Sequence, residues 1–453
     1  FFTQKTAYEM LRSLVGSEMC IRDRMIEEKF QNAVEIITKN DRGGYTVPTS
    51  KLYPHQWNWD SAFTALGIST YNKTRAWQEI ILLIKAQWEN GMIPHIIFHK
   101  NDPNYFPGPN HWQIKSNANT SCHSQPPVLA SIIWDMVKNG NNYDLKKGQS
   151  LFNSLMAYHE WFFSARDPNN EGFISIIHPW ESGRDNCPDW DLGLHNVNVP
   201  DNFGDYIRCD TSHVEISQRP TNKDYDKFMS IVEYGRNCNW DPKKMYDEGP
   251  FLAIDPGMNF IFLKANKDLL SLAKLFNYKK TVNKIESWIN KLEDGCQKFW
   301  NDKVKAFTAF DMRSNQFCDA ITNASMLCLY AGTGSDKQKN YTIKHCERIL
   351  NSCVYGMPSV DPKHKKFESE RYWRGPVWSI MNYMISYGLE HEGEYSLAKR
   401  IKDDTIKLVE VGGMYEYFNP HTGKGLGGHD FSWTAAILLT LGRDSSNLKF
   451  TNN

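Results

Sequence analysis

Leu52 to Thr70 reads LYPHQWNWDSAFTALGIST. The first half reads as a loop, because Pro54 interrupts regular structure and Trp57 and Trp59 crowd in ahead of Asp60. The second half has apolar residues at helical spacing, which predicts a helix over 60–70. Asp60 stands where an N-cap residue is expected. In an extended segment the two indoles, two positions apart, would face the same way. An aromatic, carboxylate-bearing loop feeding a helix is the unit that repeats along the chain.

Helical period predicts further helices at about 75–90, 126–138, 147–165, 222–238, 250–274, 279–300, 318–332, 337–354, 375–391, 395–410 and 430–442. Strand-like alternation is scarce, as at Phe173 to Ile177, and there is no βαβ rhythm. The loops 52–60, 101–127, 178–192, 370–378 and 412–433 hold eight of the 15 tryptophans: Trp57, Trp59, Trp112, Trp180, Trp190, Trp373, Trp378 and Trp433. Core tryptophans belong instead inside helical stripes, as Trp77, Trp88, Trp134, Trp161 and Trp288 do. Long loops are usually functional or disordered, and these are too aromatic for disorder. The expected fold is all-α: paired helices in an α/α toroid with a site at one end.

No Pro/Gly/Ser-rich linker divides the chain, so residues 25–453 are read as a single domain. Residues 1–24 lack an apolar core for a signal peptide. Ser13 to Arg24 resembles a translated sequencing adapter, and helical periodicity begins after Met25 with Ile26, Phe30, Ala33, Val34 and Ile37. We read 1–24 as a non-native or disordered extension.

Lys+Arg and Asp+Glu are both 52 in 453 residues, for a formal charge of zero. That balance argues against nucleic acid and anionic membrane surfaces as partners. No apolar run is long enough to span a bilayer. The ten cysteines form no C-x-x-C pair, which fits free thiols in a reducing, cytoplasmic compartment. A homo-oligomer is left open.

There is no P-loop, no dinucleotide fingerprint and no H-E-x-x-H. His95 and His99 have helical i, i+4 spacing, but Pro94 and Ile96-Ile97 oppose a helix there, and no metal or other cofactor is expected. His178 to Asp191 reads HPWESGRDNCPDWD and packs Glu181, Asp185, Asp189 and Asp191 among two tryptophans. A carboxylic acid stays protonated near neutral pH only beside poorly solvated, apolar surface. Turn-capping is the plain reading of each residue alone; the cluster favours chemistry.

Met414 to Ala436 reads MYEYFNPHTGKGLGGHDFSWTAA, with Glu416 between two tyrosines and a glycine-rich run that lets backbone approach closely. Indole faces beside carboxylates are how proteins hold sugars. Two carboxylates, one protonated and one ionised, are what glycoside hydrolysis requires. Asp185 and Glu416 are candidates, but only the fold brings them together.

YPHQWNWDSAF, QPPVLA from Gln125, HPWESGRDN, QRPTNKDYD from Gln218, RYWRGPVW from Arg371 and EYFNPHTGKGLGGHDFSW occur in this order over about residues 45–443. Together they resemble the bacterial mannosylglycerate and glucosylglycerate hydrolases of glycoside hydrolase family 63. The resemblance implies an (α/α)6 barrel, a six-hairpin toroid, and an inverting α-glycosidase acting on a small glycoside. It implies Asp185 as general acid and Glu416 as general base. It places Tyr53, Trp57, Trp59, Asp60, Gln125, Trp180, Gly183, Tyr372, Trp373, Trp378 and Trp433 around the sugar, with Arg219 and Tyr225 near the glycerate. A guanidinium suits a carboxylate aglycone, although a surface pair with Asp224 is the plain reading of Arg219.

Two places in the chain depart from the family pattern. Arg184, beside Asp185, would oppose a general-acid role unless it points away, and Cys122-His123, just upstream of Gln125, is the second departure. The alternatives are a trehalase-like or disaccharide α-glucosidase or a sugar epimerase on the same barrel, and a non-catalytic carbohydrate-binding protein.

Overall fold

A computed structural model describes residues 28–103, 105–113, 119–200, 206–211 and 214–444. The expected extension 1–24 lies outside the described residues.

The helices are α1 (28–40), α2 (Asn58–Ile68), α3 (Lys73–Lys85), α4 (Pro109–Trp112), α5 (Leu129–Lys138), α6 (Asn142–Arg166), α7 (Asp191–His195) and α8 (Asn222–Asn237). They continue as α9 (Pro242–Glu248), α10 (Pro256–Leu275), α11 (Lys279–Gly295), α12 (Leu327–Ala331), α13 (Asp336–Leu350), α14 (Ser379–His391), α15 (Tyr395–Gly412) and α16 (Ser432–Asp444).

Six of them close a ring. α2 packs on α5, α5 on α10, α10 on α12, α12 on α14, α14 on α16, and α16 back on α2. Every residue of α2 is buried, as is most of α16, α14 and α10. A helix apolar all round belongs inside a protein. The outer helices bury one stripe only: Ala76, Trp77, Ile80, Leu83 and Ile84 in α3, and Ile285, Ile289 and Leu292 in α11. Helices α3, α6, α11 and α15 back α2, α5, α10 and α14, while α13 packs on the turn Asn323–Met326 that leads into α12. Phe30 of α1 fills the space a side chain at Gly442 would need. This is an (α/α)6 barrel, as expected.

Ring closure depends on small residues. A Cβ at Gly67 would lie 2.4 Å from Cα of Ala436, so α2 and α16 meet almost backbone to backbone. Each large apolar side chain buried here, such as Phe63 or Leu66, contributes about 1.5–3 kcal/mol.

Some boundaries differ from expectation. The helix expected over 250–274 begins at Pro256, which occupies the first turn, with Asp255 as N-cap accepting from Gly257 N–H. The helix expected over 318–332 shrinks to Leu327–Ala331, because Thr322 and Ser325 cap each other around a 3-10 turn and Gly332, at φ +61°, ends it. The strand-like Phe173 to Ile177 contributes Ser175–Ile176 to a small antiparallel sheet with Ala253–Ile254, Phe310–Asp311 and Gln316–Phe317. Of the five expected core tryptophans, Trp77 and Trp161 are fully enclosed, and Trp88, Trp134 and Trp288 are partly buried against the core.

The inner helices present their N-terminal ends to one side. Trp59 and Asp60 lie in the first turn of α2, Trp433 in the first turn of α16, and Gln125 just ahead of α5. The loops gathered at that end build the site.

Candidate active site

A pocket opens at this end of the ring, enclosing about 890 Å3 of empty space counting its mouth. Its aromatic walls are Tyr53, Trp57, Trp59, Tyr105, Trp112, Trp180, Tyr225, Tyr372 and Trp433, and its ionisable groups include Asp60, Asp185, Asp210, Arg219 and Glu416. Asp185 and Glu416, 231 positions apart, thus share one cavity.

Their surroundings differ. Burial pushes the Asp185 carboxyl up to about 7, with Arg219 pulling down and Glu416 pushing up. Glu416 is fully buried and also raised by burial, but donors converge on it. The Tyr53 hydroxyl donates to Oε1 at 3.0 Å, Gly428 N–H donates to Oε2 at 3.0 Å, and Arg219 Nη1 lies 4.0 Å from Oε2. Asp185 is therefore the carboxyl that keeps its proton near neutrality, and Glu416 the one supplied with partners for its anion.

The glycine-rich run explains itself at Glu416. Residues 425–429 pair with Tyr415–Phe418 as an antiparallel hairpin with a bulge. Gly427 has φ +70°, and a Cβ there would lie 2.5 Å from Glu416 Oε2. Glycine at this position lets the backbone pass the carboxylate so that Gly428 N–H reaches it. Trp433 Nε1 donates to the Glu416 carbonyl at 3.2 Å and fixes the strand from the other side.

The carboxylate cluster of 178–191 separates completely. Glu181 is buried against Arg166, which donates from Nη2 at 2.6 Å, and accepts from Ile177 N–H at 3.0 Å. Asp189 pairs with Arg184 at 2.9 Å, and Asp191 with Arg374 at 2.6 Å and Lys366 at 2.7 Å. Only Asp185 of the four lines the pocket. Arg184 points away from it, its guanidinium held by Asp189 and by Asp255 at 2.7 Å. Trp190 also stays out of the pocket and lies beneath Arg184, donating Nε1–H to its carbonyl at 2.9 Å.

Asp60 does not cap α2 with its side chain. It sits in the first turn facing the cavity, and burial, then the Glu416 charge, hold its carboxyl well above the usual range. The orphan N–H groups of α2 go elsewhere: Asn58 N–H to the His95 carbonyl at 3.0 Å and Trp59 N–H to Gln125 Oε1 at 3.2 Å. Gln125 is thereby oriented into the pocket wall. Gly183, at φ +65°, lies against the Trp59 indole.

Two expected sugar contacts are displaced. Trp373 and Trp378 are fully buried and absent from the pocket wall. Their rings stack on each other at 3.7 Å and 4°, forming a layer behind Trp59, Tyr372 and Trp433. They shape the wall without touching the cavity.

Arg219 has no bond to Asp224, which caps α8 with Thr221. Its partner is Asp210, accepting from Nε at 3.1 Å, and its guanidinium lies 4.1 Å from the Tyr372 ring centroid. Tyr225 carries the Arg208 guanidinium at 4.5 Å. Asp210, Tyr105 and His95 are wall residues that the sequence left unmarked as sugar contacts. Tyr105 sits in a flagged loop, whereas Asp210 carries no local signal. His95 and His99 face different surroundings. His95 lies between Trp57 and Trp180, held neutral by burial with a value near 3, and His99 stacks on Tyr45. Cys122 and His123 are buried behind Trp112, outside the pocket wall.

Comparison with known proteins supplies the family. Residues 53–434 match the family described as the mannosylglycerate hydrolase MGH1-like glycoside hydrolase domain. The mannosylglycerate hydrolase of Thermus thermophilus is 40% identical, over 90% of this chain and 99% of that one. The glucosylglycerate hydrolase of Mycolicibacterium hassiacum is 30% identical, over 90% and 96%. A crystal structure of a GH63 mannosylglycerate hydrolase from Thermus thermophilus with Tris and D-glycerate superposes with a TM-score of 0.88 at 39% identity, covering 92% of this chain and 100% of that one. At 18% identity and a TM-score of 0.56, a yeast neutral trehalase shares the fold alone. The chain is therefore a glycoside hydrolase and belongs to the MGH1-like mannosylglycerate hydrolase family of GH63.

Proposed function

We propose that this enzyme hydrolyses glucosylglycerate or mannosylglycerate with inversion at the anomeric carbon. The observation that carries the reading is a single aromatic pocket holding a carboxyl near 7, Asp185, and a donor-supplied carboxylate, Glu416, with Arg219 beside them. Asp185 gives its proton to the glycosidic oxygen as the C–O bond breaks. Glu416 takes a proton from a water whose oxygen bonds to the anomeric carbon from the opposite face. The products are the free hexose, in inverted configuration, and glycerate.

Trp57, Trp59, Trp180 and Trp433 supply apolar faces for the sugar ring. Tyr53, Asp60, Gln125 and Tyr372 supply its hydroxyl partners, and Gly183 leaves room for the ring. Arg219 and Tyr225 lie toward the aglycone, where a guanidinium suits a glycerate carboxylate better than the second hexose of trehalose. Residues 25–453 work as one catalytic domain. No helix among the described residues is long and apolar enough to cross a membrane, and the described cysteines are free thiols, which supports a cytoplasmic setting.

The test is a screen of purified protein on glucosylglycerate, mannosylglycerate, trehalose and kojibiose, with the first-formed anomer read by NMR. Release of the β-hexose from one glycerate glycoside is expected. Turnover of trehalose alone, or an α-anomer as first product, would overturn the reading.

A further inference from the structure

Arg219 is held by more than its aromatic neighbours. Asp210 Oδ2 accepts from its Nε at 3.1 Å, and Asp210 is itself gripped by Arg208, Nε to Oδ1 at 3.0 Å and Nη2 to Oδ2 at 2.7 Å. Arg208 is anchored in turn, its Nη1 donating to the Pro220 carbonyl at 2.8 Å and Asn222 Oδ1 at 3.1 Å. The far end of the guanidinium is different: Nη1 is buried, has no hydrogen-bond partner among the described residues and lies 4.0 Å from Glu416 Oε2. An unpaired buried cationic donor is costly, and it persists where surrounding structure fixes it or where a ligand completes it.

We propose that Asp210, backed by Arg208, is a positioning residue that locks Arg219 with Nη1 aimed between the base and the substrate, so that Arg219 serves the hydrolytic step as well as the aglycone. This rests on the substrate and role assignments above. The arrangement explains why a carboxylate lines a pocket expected to admit an anionic aglycone. Asp210 takes one edge of the guanidinium and leaves the other for the reacting groups. It also offsets part of the Arg219 charge felt by Asp185. The charged and titratable groups around Asp185 are Arg219, Glu416, Asp210, Asp60, Tyr105 and Tyr372. Removing the Asp210 anion leaves Arg219 less opposed, and the sign is then fixed: the Asp185 proton is lost at lower pH.

The experiment compares glucosylglycerate and mannosylglycerate with the corresponding glycosylglycerols, in which the carboxylate is replaced by a neutral hydroxymethyl group. For Asp210→Asn, kcat is expected to fall about tenfold or more on both acidic and neutral aglycones, because a loosened Arg219 no longer supports the step. The alkaline limb of the pH profile should move down by roughly half a unit. Asp210→Glu should recover part of the rate, and Arg208→Gln should show a smaller loss of the same kind.

The proposal is overturned if Asp210→Asn raises only KM, only on the glycerate substrates, with the pH limb unmoved. If Asp210→Asn does not fold, Arg208→Gln decides by the same criteria. Wild-type turnover of the glycerate glycosides scores the substrate reading. The variant-to-wild-type ratio, on any of the four compounds turned over or otherwise on p-nitrophenyl α-glucoside, scores the clamp separately.

Discussion

A single methyl group at Gly183 would lie 2.5 Å from Cζ2 of Trp59, inside any permitted contact. Gly183 also sits at φ +65°, where a Cβ adds backbone strain. Gly183→Ala should therefore lose about 2–4 kcal/mol of stability in urea unfolding. It should also weaken hexose binding, because Trp59 must tilt out of the pocket wall. Unchanged stability and unchanged product inhibition by hexose would show that the contact is dispensable.

The two carboxyls predict a bell-shaped pH dependence of kcat/KM. With Asp185 as the proposed acid, the alkaline limb is expected near 7, activity falling above it as the carboxyl ionises. With Glu416 as the proposed base, the acid limb is expected above the ordinary glutamate value of 4.5. Asp185→Asn and Glu416→Gln should each cost about 10²–10⁴-fold in kcat, with the limb of the altered residue disappearing from any residual activity.

Asp185 also makes a stability prediction. Its folded value, about 7, lies above the unfolded value of 3.8, so the folded protein holds more protons between them. Stability therefore falls as pH rises through that window and levels off above it. Asp185→Asn removes the penalty. It should stabilise the protein by on the order of 4 kcal/mol at pH 8 and by almost nothing at pH 3, measured by urea unfolding at both pH values.

Gly427→Ala should act on chemistry as well as on folding, since φ +70° and a 2.5 Å approach to the Tyr417 ring carry the same kind of strain as at Gly183. Its Cβ would meet Glu416 Oε2 at 2.5 Å and displace the carboxylate from Gly428 N–H. We expect a fall in kcat of about a hundredfold with a much smaller change in KM. Steady-state kinetics on the best glycoside of the screen check it.

Arg184→Met should be severe for the opposite reason. It strips the cation from Asp189 and Asp255, both buried, at a cost of about 3–5 kcal/mol. Whatever enzyme folds should keep the wild-type pH limbs, because Arg184 faces away from Asp185. A shifted alkaline limb would refute that orientation.

Much of the fold was legible because helical period recurs along the chain between aromatic loops. The outer stripes of α3 and α11 follow helical spacing, and α2 and α16, buried nearly all round, still carry apolar residues at that period. The loops between them were legible as a sugar site from indoles beside carboxylates. Partner choice was not legible. Glu181, Asp189 and Asp191 looked like Asp185 until Arg166, Arg184, Arg374 and Lys366 claimed them, and Arg374 lies 183 positions from Asp191. Trp373 and Trp378 failed as sugar contacts for a related reason: the same composition serves a wall and the layer behind it. Asp210 became visible only once Arg208 and Arg219 stood on either side of it.

The seat of α16 on α2 has a further meaning during synthesis. Trp433 and the hairpin carrying Glu416 come from the last segments to join the ring, whereas Trp57, Trp59 and Asp60 come from the first. A ribosome-bound chain whose Glu416 hairpin and α16 are still to emerge leaves an open crescent, with the buried faces of α2 and α14 uncovered. The crescent is the species that a chaperone would have to shield until α16 closes the ring on α2.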